Sequence, residues 1–101
     1  MQINFEYKNV TASEHLEQYT TEKLNDLDHK YNFLINADVY FKTENTSSDN
    51  TGILCGIRIE GNNVTFFAEA SKDNFEHAVS ETIQQLESQL RKKKSKLLAS
   101  H

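Results

Sequence analysis

The chain has 101 residues, enough for one domain that buries roughly 60–68% of its unfolded surface, and a hydrophobic content of 37% implies a thin core. A single cysteine, Cys55, excludes an intramolecular disulfide, and no apolar run approaches a membrane span or a secretory leader, so a cytoplasmic location is expected. The net charge of −4 is unevenly spread: all fifteen acidic residues precede Arg91, while five of the eleven basic ones fall between Arg91 and Lys96, an asymmetry that points to nucleic acid or a membrane surface.

Ile3, Phe5 and Tyr7 alternate with Asn4 and Glu6, which predicts a half-buried first strand. Thr11-Ala12-Ser13-Glu14 reads as a capping box, with Thr11 as the cap. Leu16, Tyr19, Lys23, Leu24 and Leu27 then form the stripe of a helix that runs to about His29, with Glu14, Glu17, Glu22 and Asp26 on its outer face. Ile35, Ala37, Val39 and Phe41 alternate as a second strand. Residues 43–52 contain no apolar side chain and are expected to be a mobile loop. Ile53, Cys55, Ile57 and Ile59 face inward on a third strand, Gly61-Asn62 signals a tight turn, and Val64, Phe66, Ala68 and Ala70 form the inward row of a fourth.

The final segment carries Phe75, Ala78, Val79, Thr82, Ile83, Leu86 and Leu90 at three- and four-residue spacing, with Asp73 as the expected N-cap. Neither glycine nor proline interrupts it, so the helix is predicted to reach about Lys96, with 97–101 as a frayed tail. At ~1.5 Å per residue it is longer than an eight-residue strand, so its last two turns should project past the sheet and expose Arg91, Lys92, Lys93, Lys94 and Lys96.

The order β-α-β-β-β-α predicts an α+β fold of one domain, residues 1–101. The first two strands should be parallel through a crossover, the rest an antiparallel meander, and both single-striped helices should lie on one face of a four-stranded sheet. Tyr40, Lys42, Arg58, Thr65, Phe67 and Glu69 fall on the other face, where Tyr40 and Phe67 are expected to cover neighbouring strands rather than stack bases. Cys55 sits in the inward row and reads as a core residue. His15, His29 and His77 lack ligand spacing, and no phosphate loop, nucleophile elbow or carboxylate pair is present. Neither a metal, a cofactor, a small-molecule substrate nor catalysis is expected.

Asp73, Phe75, Ala78, Val79, Gln89, Leu90, Arg91, Lys92, Lys94 and Lys96, with Lys23-Leu24, Leu27 and Tyr31 at the end of the first helix, are the residues through which the chain resembles a known family. These are the ribosome hibernation-promoting factors, also called ribosomal subunit interface or sigma-54 modulation proteins, here in their short form. The chain departs from the family pattern at Ser80, where an acidic residue is usual, and in its acidic first helix.

The resemblance implies a fold similar to the double-stranded-RNA-binding domain. It also implies a non-catalytic factor that occupies the mRNA/tRNA channel of the small ribosomal subunit and inhibits translation in stationary phase or stress. The groups facing rRNA would be Arg91, Lys92, Lys93, Lys94 and Lys96, with Lys23 and Lys30 as second-rank contacts. The alternative is a protein-interaction module whose basic helix grips an acidic partner. A membrane role fares worse, because only Leu97 and Leu98 could supply the apolar face it needs.

Overall fold

The computed structural model describes the backbone of residues 1–99 and the side chains of residues 1–95. In chain order the elements are β1 (Gln2–Lys8), α1 (Glu14–Lys30), β2 (Leu34–Thr43), β3 (Ile53–Gly61), β4 (Val64–Lys72) and α2 (Phe75–Ala99). The strands lie side by side in sequence order, β1 parallel to β2 and the other pairs antiparallel.

The register carries the strand alternation across the sheet except at the start of β2, where an irregularity between Leu34 and Asn36 buries Leu34 and leaves Ile35, expected to face inward, exposed. Phe5 pairs with Val39, Val39 with Ile57, and Ile57 with Ala68, so one row of apolar side chains crosses all four strands on the same face. That face meets Leu16, Leu24 and Leu27 of α1 and Ala78, Val79, Ile83, Leu86 and Leu90 of α2 in a single buried cluster. Both helices therefore pack on one side, as their single stripes require. Phe41 is the aromatic centre of this core: it is fully buried, 6.3 Å from Phe5 and 5.5 Å from both Tyr7 and Phe75 by ring centroids.

The helix starts differ from those read in the sequence. Ser13, not Thr11, caps α1: its backbone is extended (φ −137°) and its hydroxyl accepts from the Leu16 amide at 3.2 Å. Asn74, not Asp73, takes the corresponding place before α2, its side-chain oxygen accepting from the His77 amide at 2.8 Å. Asp73 instead bonds the His77 ring at 2.6 Å, which holds its carboxyl below the ordinary value. The β3–β4 turn is also displaced by one residue: Gly61 ends β3 and pairs with Val64, and Asn63 takes the left-handed conformation at φ 60°. α2 extends to Ala99, three residues past the expected Lys96. Thr43 belongs to β2, which leaves 44–52 as the connection, drawn together where the Glu44 amide donates to the Gly52 carbonyl at 2.7 Å.

Among the described residues α2 is bonded to the sheet at two polar points. The buried Thr82 hydroxyl, on the apolar stripe, shares its hydrogen between the carbonyls of Ala78 (2.8 Å) and Cys55 (3.1 Å). Nearer its C-terminal end, the Gln89 amide donates to the Phe67 carbonyl of the edge strand β4 at 2.9 Å.

Cys55 is fully enclosed under α2, and burial pushes its thiol up from 9.0 to about 12. The fold thus favours the neutral thiol. This contribution is complete below about pH 9 and is lost as pH rises from there towards 12. The melting temperature is expected to fall over that window, and the fall should be shallower in Cys55→Ala. Identical pH profiles for the two proteins would remove Cys55 as a source.

On the other face Tyr40 lies across β3. Its hydroxyl donates to Glu69, its ring stacks beside Phe67 at 6.5 Å, and Lys8 and Lys42 stand 5.0 and 5.4 Å from its centroid. Gly56 permits this, because a Cβ there would come within 2.1 Å of the Tyr40 ring. Gly56→Ala is expected to displace the ring and to destabilise the fold by about 1–3 kcal/mol, as overpacking does. Thermal unfolding reads this directly, and an unchanged midpoint would mean that Tyr40 moves aside freely.

Candidate nucleic-acid interface

The C-terminal turns of α2 are helical because good helix formers follow the stripe, and their cations suit the negative end of the helix dipole. Arg91, Lys92 and Lys94 are exposed and Lys93 is half-buried. None of the four pairs with a carboxylate among the described residues. The Lys96 side chain lies outside the described residues.

The last turns do not all project free of the sheet, as the length comparison had suggested. Lys94 stands 5.7 Å from the centroid of Tyr31, at the end of α1, and Lys93 lines a hollow with Phe33, Asn62, Asn63 and Val64. The basic end therefore rests against the α1–β2 junction on one side and the β3–β4 turn on another. Helix and hairpin together form a surface where the sequence showed only a tail.

The two α1 candidates are engaged within the protein. Lys30 bonds Glu87 of α2 at 3.1 Å, and Lys23 sits 5.4 Å from the centroid of Tyr19. Tyr19 in turn shares a 2.7 Å hydrogen bond with Ser80, so this serine joins the helices. The acidic outer face of α1, including Glu14, Glu22 and Asp26, is exposed. The structure thus separates an anionic face on α1 from a cationic end on α2, a distribution that aims the molecule at an anionic partner end-on.

Two hydrogen-bonded pairs lie at the opposite end, His15 with Glu76 at 3.0 Å and His77 with Asp73. Among the described residues no group of three or more His, Cys, Asp or Glu is placed to hold a metal ion. None of the described helices is long and apolar enough to cross a membrane.

Fold and charge together define a small α+β domain that presents a cationic helix end beside a β-hairpin. The chain belongs to the family described as Sigma 54 modulation protein / S30EA ribosomal protein, whose model matches residues 3–98. That description places it in a ribosome-associated family. Several solved structures share its fold, among them these two. A ribosomal subunit interface protein from Coxiella burnetii is 22% identical, with a TM-score of 0.76 over 94% of this chain and 99% of that one. The N-terminal domain of Thermus thermophilus Protein Y is 17% identical, with a TM-score of 0.75 over 91% of this chain and 98% of that one. Among curated proteins no significant match was found.

Proposed function

We propose that this protein is a non-catalytic cytoplasmic factor that binds the small ribosomal subunit in the mRNA/tRNA channel and inhibits translation in stationary phase or under stress. The observation that carries this reading is the run of cations from Arg91 to Lys94 with no carboxylate partner among the described residues, set at one end of an otherwise acidic molecule, in a chain of a ribosome-associated family. Cations in this arrangement recognise the spacing of phosphates rather than base sequence. Inhibition is steric: a domain seated in the channel excludes other RNA. Lys96 extends the same contact, and Lys23 and Lys30 lie on the helix beside it. The acidic face of α1 disfavours adhesion to arbitrary RNA.

The test is co-sedimentation of the purified protein with small subunits across a salt series, with and without mRNA and initiator tRNA as competitors. Binding that weakens with salt and is displaced by the competitors supports the channel. Absence of binding at low salt overturns the reading. In a lysate, a complex that survives nuclease treatment would shift the partner of the basic helix to an acidic protein.

A further inference from the structure

The hollow beside Lys93 has a volume of about 330 Å³, within the lower range of small-ligand clefts, and its lining is chemically mixed. Phe33 offers an aromatic ring, Asn62 and Asn63 two exposed carboxamides, and Lys93 an ammonium group with no carboxylate partner among the described residues. The fold fixes the ring and the hairpin backbone beside it. The Phe33 ring packs 6.4 Å from both Tyr31 and Phe66, and its carbonyl accepts the Asn62 amide at 3.1 Å. Gly61 lets the hairpin close on it, since a Cβ at that position would meet the Phe33 carbonyl at 3.0 Å and its ring at 3.1 Å. The left-handed Asn63 then turns the chain back into β4.

An aromatic ring, amides and a cation around one hollow are the three groups that hold an unstacked nucleotide: the ring stacks on the base, amides bond its edge, and the cation meets its phosphate. We propose that this pocket receives one unpaired adenine nucleotide of the RNA contacted by α2. The base would lie against Phe33, the carboxamide of Asn62 or Asn63 would bond its edge, and Lys93 would take the adjoining phosphate. Adenine is the fitting base because its two fused rings give Phe33 a larger stacking area than a pyrimidine, and its neighbouring N6 donor and N7 acceptor also match the acceptor and donor of one carboxamide. This deepens the ribosomal reading and rests on it, adding one base-specific contact to an interface otherwise made with phosphates. Lys93 is thereby separated in role from Arg91 and Lys92, whose exposed side chains do not line the pocket.

The experiment measures binding of five-nucleotide oligo(A) and oligo(U) to the full chain at low salt, by fluorescence anisotropy and by amide shifts in NMR spectra. Small-subunit co-sedimentation is run on the same proteins. Oligo(A) is expected to bind about tenfold more tightly than oligo(U) and to shift the amides of Phe33, Asn62, Asn63 and Lys93. Phe33→Leu should weaken oligo(A) about tenfold or more. Asn62→Ala alters an exposed turn side chain and leaves the backbone bond to Phe33 in place, so it tests the pocket independently of folding. With Asn63→Gly, which tolerates the left-handed conformation, it should weaken oligo(A) about tenfold. Both variants should retain the salt slope of subunit binding. Equal binding of the two RNAs, or variants that bind oligo(A) as the native protein does, would overturn the pocket while leaving subunit binding intact. Loss of subunit binding by the native protein is the separate signature that the ribosomal reading itself has failed.

Discussion

Replacing Arg91, Lys92, Lys94 and Lys96 together by alanine is expected to flatten the salt dependence of small-subunit binding. Each phosphate neutralised contributes about 0.7–0.9 to the log–log slope, so four lost contacts should lower it by roughly 3. Between 50 and 200 mM salt the native protein should therefore lose affinity about 50- to 150-fold more than the variant does. The described members of this set are exposed, and alanine is a strong helix former, so the fold should survive the change. Lys93 is left in place because it lines the hairpin pocket. Co-sedimentation of both proteins over the same salt series is decisive. Equal slopes would discard the end of α2 as the contact, whatever the ribosome does with the rest of the molecule.

Phe41→Ala is expected to have the largest effect on stability. The side chain is fully buried where β1, β2 and the start of α2 converge, in ring contact with Phe5, Tyr7 and Phe75. Truncating a buried phenylalanine costs about 3–5 kcal/mol, against a total stability of about 5–15 kcal/mol for a domain of this kind. Urea denaturation should show a midpoint lowered by about a fifth or more with little change in slope. A shift below about 1 kcal/mol would mean that the neighbouring rings close over the space.

The architecture was legible because its signals are periodic and local. Val39, Ile57 and Ala68 announce their inward side through alternation alone, and Val79, Ile83, Leu86 and Leu90 announce a helix face. What escaped was set by geometry over one or two residues or by contacts distant in sequence. Thr11 and Ser13 are both competent caps, as are Asp73 and Asn74, and only the path of the chain into each helix chooses between them. Leu54 and Gly56 fall on the outer side by alternation yet are buried, and for Gly56 the cause is the Tyr40 ring arriving from another strand.

For the candidate interface, Arg91 to Lys94 stood out by charge. The ion pair that occupies Lys30 joins it to Glu87, 57 positions away. Phe33, Asn62 and Asn63 were missed for the same reason, since nothing local links an aromatic after the first helix to a turn thirty residues on. The usable signal was the turn itself: Gly61-Asn62-Asn63 places two amides at a hairpin tip, and the length of α2 carries its basic end to that level.

The bond from Gln89 to the Phe67 carbonyl bears on self-association. A four-stranded open sheet has two edge strands, each able to template another chain by backbone pairing. At β4 the overlying helix already holds one of the carbonyls an incoming strand would need. An incoming strand there must do without that acceptor, so Gln89 makes β4 a poorer template for a growing ladder of chains.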